Sequence, residues 1–253
     1  MVINVHAGHN PDGKTACGAV GFIRESTEAR RVKDETVYQL RRLGHTVYDC
    51  TCENGRSQAN VLTKIVNACN AHTVDLDVSI HFNSGAKDSE GNGTTSGTEV
   101  LIYKKGNAAQ KYAKSVADAI SALGYRRRSD TTSPEAGVKL RKELYFLNKT
   151  KAPAMLVECC FVDDRDDVQL YDCQKMASAI VYGITGKRVA DQEEVTEDKE
   201  ASATDAETAV GDGSKLYRVQ IVEQKGAFFV KENAERYCNE LKAAGFHAMI
   251  VNA

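Results

Sequence analysis

The chain lacks a disulfide framework. Its eight cysteines are Cys17, Cys50, Cys52, Cys69, Cys159, Cys160, Cys173 and Cys238. They are scattered without the repeated spacing of a small secreted scaffold, so a reducing compartment is expected. Cys50-Thr51-Cys52 lacks the two-residue gap of zinc knuckles and redox motifs and is expected to be structural. No charged leader with a long apolar segment opens the chain, and no run approaches the roughly 20 apolar residues of a membrane span. The expectation is a protein made in the cytoplasm without a signal peptide and without a membrane span. There is no RNA-type aromatic motif, so nucleic acid is not expected as a partner. The glycine-rich first loop lacks the Lys-Ser/Thr ending of a phosphate-binding loop, and no His-Glu-x-x-His run marks a metalloprotease helix.

The 253 residues suffice for one core of ordinary size and a small appendage. The net charge of -2 conceals an asymmetry. Residues 190–214 hold nine Asp or Glu and one Lys, a local -8, which leaves about +6 on the remainder. That excess suits an anionic polymer such as a bacterial wall but is too small to argue for nucleic acid. Arg126-Arg127-Arg128 is read as a solvated basic surface.

Apolar periodicity organises residues 1–188. Strands are expected at 2–5, 46–49, 76–80, 97–103, 144–147 and 155–158. Helices are expected at about 26–43, 58–71, 108–123 and 173–185, the first ended by Gly44. Strand and helix alternate, so the fold class is α/β, a mostly parallel sheet flanked by helices. Residues 189–214 read as an acidic, self-repelling linker. Residues 215–253 read as a small βαβ unit, with strands at 217–221 and 246–251 around a helix at 231–244.

Chemistry gathers at the ends of three strands. Met155-Leu156-Val157-Glu158 ends in a carboxylate, and the runs at 2–5 and 76–80 lead into His6-Ala7-Gly8-His9 and His81-Phe82-Asn83. Open α/β sheets place ligands at such ends. If these strands lie side by side, imidazoles and a carboxylate converge, and a hydrolytic zinc site is the first expectation. Each residue alone reads as an ordinary strand end. Glu25 and Glu28 alone read equally as carboxylates favoured by a helix N-terminus.

Together these stretches carry a resemblance. Gly8-His9 follows the first strand, and Glu25 stands nineteen residues before Gly44. With them come Ser79-Ile80-His81-Phe82-Asn83, Gly97-Thr98-Glu99-Val100, and Leu144-Tyr145-Phe146-Leu147-Asn148 with Pro153 leading to Leu156-Val157-Glu158. Residues 1 to about 187 resemble zinc-dependent N-acetylmuramoyl-L-alanine amidases of phage endolysins and autolysins. The resemblance implies Zn2+ as cofactor, His9, Glu25 and His81 as its ligands, and Glu158 as the catalytic carboxylate. It implies bacterial peptidoglycan as partner, with action on the wall after release. Here the usual Asp-Pro-Gly-His is replaced by His6-Ala7-Gly8-His9, and His6, on the Asp position, is expected to support the ligands from behind. The tail resembles one repeat of the SPOR peptidoglycan-binding fold, which normally takes two. It is therefore expected to bind wall or to form a homodimer through residues 215–253. The competing readings are another zinc amide hydrolase, such as a carboxypeptidase or deacetylase, a non-catalytic wall-binding protein, and a thiol enzyme using Cys159 or Cys160.

Overall fold

The computed structural model describes residues 1–85, 90 and 95–189. The acidic stretch and the βαβ unit expected at 215–253 lie outside the described residues. The elements are β1 (Val2–Ala7), α1 (Glu25–Arg42), β2 (Thr46–Asp49), α2 (Gln58–Asn70), β3 (Leu76–Asn83), β4 (Glu99–Ile102), α3 (Gln110–Ser121), β5 (Val138–Leu140), α4 (Tyr145–Lys149), β6 (Ala154–Phe161), α5 (Arg165–Leu170) and α6 (Cys173–Thr185).

Six strands form one sheet in the order β2-β1-β3-β6-β4-β5. All neighbours are parallel except β4 and β6, which run antiparallel. The mostly parallel α/β expectation therefore holds, and the three chemistry-bearing strands β1, β3 and β6 are adjacent.

Alternation of side chains divides the sheet into two unlike faces. Ile3, Val5 and Ala7 of β1, Val78 and Ile80 of β3, and Met155 and Val157 of β6 enter a large core with Ala29, Val32 and Leu40 of α1, Val116 and Ile120 of α3, and Ile180 and Ile184 of α6. The other residues of the same strands turn to a smaller core with Val61, Ile65 and Cys69 of α2 and Phe146 and Leu147 of α4. Being covered on both faces is what a parallel sheet requires.

Two expectations need correction, and two elements are new. Leu144-Tyr145-Phe146-Leu147 is not a strand: residues Tyr145–Lys149 form a short helix that buries Phe146 and Leu147 and leaves Tyr145 exposed. A short unbroken apolar run does not carry its period, and packing against the sheet decides it. β5 and α5 were not anticipated. Glu158, finally, does not end its strand, because β6 continues to Phe161.

Candidate active site

The site is built where β1 and β3 finish and α1 begins. β1 runs on through His6 and Ala7, so His6 is a strand residue and His9 belongs to the loop behind it. His9 is in the left-handed backbone region (φ 61°), an uncommon conformation for a residue with a Cβ. Glu25 is the first residue of α1 and is buried. His81 projects from β3, with Glu158 of β6 opposite it in register and Glu99 of β4 opposite Glu158.

Glu25 draws the histidines together. Its Oε1 lies 2.9 Å from His81 Nδ1 and 3.2 Å from His9 Nε2. One donor atom from each of the three residues lies within 4.8 Å of the others, the one such group among the described residues. Burial pushes the Glu25 carboxyl up, but hydrogen bonds from His81 and His9 outweigh it and hold the carboxyl well below the usual range. Burial lowers His81, against the raising effect of Glu25. Glu25 Oε2 accepts the Ala19 backbone N–H at 2.8 Å, so the carboxylate is fixed from both sides.

Two glycines make room for this. A Cβ on Gly8 would stand 2.0 Å from the His81 ring, and one on Gly18 would stand 2.4 Å from Glu25 Oε2. The loop that reads in sequence as a backbone wrapped round a ligand therefore packs its backbone against two of the three donors.

Glu28, the other helix-start carboxylate, is engaged elsewhere. It accepts from Tyr171 Oη at 2.8 Å and pairs with Arg31 at 3.0 Å. His6 is buried, edge-on to Phe146 with ring centroids 4.6 Å apart, and its Nδ1 lies 3.2 Å from Ala7 O. None of its hydrogen bonds reaches His9, Glu25 or His81, and its Nε2 is buried without a hydrogen-bond partner. Burial lowers its pKa to about 3.

Glu158 sits beside the donors with Oε2 buried and without a hydrogen-bond partner. Burial, then the charges of Glu25 and Glu99, push its carboxyl well above the ordinary value. Glu99 is itself neutralised, ion-paired with buried Lys139 and, at 2.8 Å, with Arg128. Arg128 also lies over the Phe161 ring, 4.6 Å from its centroid. One member of the expected solvated arginine run is thus drawn in beside the site. Lys139 and Arg30 had no sequence reading. Their signal was a charge within a buried pattern: Ser26, Arg30, Lys33 and Val37 form one buried stripe of α1.

A β-bulge adjoins the site. Between the pairs His81–Glu158 and Asn83–Phe161, β6 holds one residue more than β3. Cys159 and Cys160 both enter the large core, and burial pushes both thiols far up. A nucleophilic thiolate is disfavoured there.

Comparison with known proteins places the chain in a family. Residues 3–186 match the family described as N-acetylmuramoyl-L-alanine amidase. An uncharacterised protein of Clostridium perfringens (strain 13 / Type A) is 36% identical over 173 residues, covering 68% of this chain and 47% of that protein. The N-acetylmuramoyl-L-alanine amidase CwlM of Bacillus licheniformis is 27% identical over 192 residues, 75% of this chain and 62% of its own length. The chain spans about half the length of the Clostridium relatives it matches. The solved catalytic domain of the CD27L endolysin targeting Clostridia Difficile superposes with a TM-score of 0.62 at 25% identity, covering 75% of this chain and 99% of that domain. The Ami1 amidase of Mycobacterium smegmatis gives 0.60 at 23% identity, covering 74% and 95%, a likeness of fold.

Proposed function

Because the chain belongs to the N-acetylmuramoyl-L-alanine amidase family, we propose that it hydrolyses the amide between the lactyl carbonyl of N-acetylmuramic acid and the L-alanine of the peptidoglycan stem, with zinc held by His9, Glu25 and His81. The observation that carries this reading is the convergence of the three donor atoms within 4.8 Å beside an unpaired buried carboxylate oxygen of Glu158.

The donor set suits zinc. Two imidazoles and one carboxylate leave one tetrahedral position open, as catalytic zinc sites do. When bound, the metal supplies Lewis acidity toward the scissile carbonyl and toward water. The chain's own residues do the rest. His9, Glu25 and His81 fix the place of reaction through side chains that Gly8 and Gly18 allow to pack closely. Glu158 Oε2 takes a proton from the attacking water and returns it to the L-alanine amine as the C–N bond breaks. Lys139 and Arg128 occupy the charge of Glu99, so Glu158 is the unpaired carboxylate of the site.

Digestion of purified bacterial wall followed by mass spectrometry tests the reading. Intact glycan strands with free stems beginning at L-alanine are expected. Cleaved glycosidic bonds, or stems trimmed at their far end, would contradict it. From the sequence resemblance alone, we propose that residues 215–253 hold the enzyme at the wall or pair two chains. Sedimentation of the full chain beside residues 1–188 separates these, since only pairing gives a dimer that the truncation lacks.

A further inference from the structure

Arg30 has no part in the chemistry described above, yet every N–H of its side chain has an acceptor. It lies in α1, five residues after Glu25, and its side chain is 2% exposed. Its Nη2 donates to His9 O at 3.0 Å and to Cys52 O at 2.9 Å. Its Nη1 donates to Ser26 O at 2.9 Å and, longer, to Gly8 O at 3.5 Å. Its Nε faces the Glu53 carboxylate at 3.1 and 3.2 Å. A guanidinium has five N–H donors in a rigid fork, and each has an acceptor here.

We infer that Arg30 is a positioning residue that holds His9 in the backbone conformation needed for metal binding, an inference that rests on the zinc reading. Three segments meet at this one side chain: the Gly8-His9 turn, the first turn of the helix that carries Glu25, and the Cys52-Glu53 loop that follows β2. The His9 carbonyl and the first turn of the helix that carries Glu25 thereby meet at the same rigid plane. The tie also explains how His9 keeps a left-handed φ of 61°. Such a conformation persists only where the surroundings over-determine it, and here Arg30 grips the carbonyls of His9 and of the residue before it. A guanidinium near a dication site opposes metal binding electrostatically, so its contribution is geometric rather than one of charge. Lysine cannot replace it, because an ammonium has three donors on a single atom and cannot span carbonyls from three segments.

Zinc affinity, measured by competition with a chromophoric chelator, tests the inference on full-length wild type, Arg30→Lys and Glu53→Ala, with circular dichroism reporting the fold of each. Folded Arg30→Lys is expected to bind zinc roughly 10–100-fold more weakly, the usual cost of losing a group that orients a metal ligand. Glu53 is 54% exposed and touches only one edge of the fork, so Glu53→Ala is expected to lose a smaller factor, about threefold. A purely structural Arg30 would lower the melting temperature and leave the zinc affinity of the folded protein at the wild-type value, and that result overturns the inference. Should Arg30→Lys fail to fold, Glu53→Ala decides, and unchanged affinity there overturns it. Wild type that binds no zinc removes the zinc reading itself. Wild type that binds zinc beside an equally tight folded Arg30→Lys removes this inference alone.

Discussion

The two faces of the central sheet are made by the same strands and have opposite chemistry. Toward α1, α3 and α6, residues Ile3, Val5, Val78, Ile80, Met155 and Val157 are all apolar and buried. The alternate residues Asn4, His6, Asp77, Ser79, His81 and Glu158 are all polar, and the smaller core against α2 and α4 takes Leu101, Ala154 and Leu156 from the sheet. The larger core carries most of the apolar packing, and the two sheet residues of the proposed site, His81 and Glu158, belong to the polar set. Because strand alternation keeps the two sets apart, a change to one can leave the other working.

The largest expected effect is on the polar face. His81→Ala should remove both metal and wall hydrolysis, measured by metal content and turbidity loss of a wall suspension. Retained zinc would take His81 out of the ligand set. Glu158→Gln comes next: activity should fall at least on the order of 100-fold, as for loss of general acid–base catalysis, while zinc content stays near that of wild type. Zinc lost along with activity would make Glu158 a ligand and overturn its role as proton carrier.

Met155→Ala sharpens the contrast from the other side. Met155 is three residues from Glu158 but fully buried in the large core. Its truncation should cost about 2–5 kcal/mol of stability in urea unfolding, with zinc content and specific activity of the folded protein close to wild type. A Met155→Ala protein that is stable but inactive would show that the faces are coupled.

The smallest effect concerns a polar residue under α2. Asp77 is buried, accepts from Asn4 Nδ2 at 2.7 Å, and has its pKa raised by burial from 3.8 to about 6. Folding therefore favours its protonated form. Stability is fully present below about pH 4, falls as pH rises toward about 6, and is level above that, a loss on the order of 2–3 kcal/mol. Asp77→Asn keeps a carbonyl acceptor and removes the charge. It should stabilise the protein at pH 8 and change little at pH 4, read by urea unfolding at both. Equal effects at the two pH values would contradict the assignment.

Much of this was legible in sequence where a run was long enough to show its period. The apolar spacing of residues 58–71 and 173–185 predicts α2 and α6 closely, and Gly44 marks the end of α1, where it adopts φ 82°. The runs that form β1, β3 and β6 are also visible, with histidines and a glutamate in or beside them. Three short elements were not: β5, α4 and α5 take their form from contacts with distant parts of the chain. The extent of β1 and β6 mattered most. Strand pairing carries them to Ala7 and Phe161, which places His6 and Glu158 on the sheet face rather than at its rim.

The order of residues alone determined which groups were available and how they repeat, because period two and period 3.6 are properties of the local backbone. It could not determine which neighbour receives each side chain. That Glu25 faces His9 and His81 while Glu28 turns to Arg31 and Tyr171 depends on how α1 sits over the sheet, since residues three apart on a helix lie close to the same face. Arg30 is the clearest case. In sequence it is one of two adjacent arginines in an amphipathic helix, and only folding brings the carbonyls of Gly8, His9 and Cys52 within reach of its fork. Hydrogen bonds between distant segments are set by distance and angle, which no local pattern encodes.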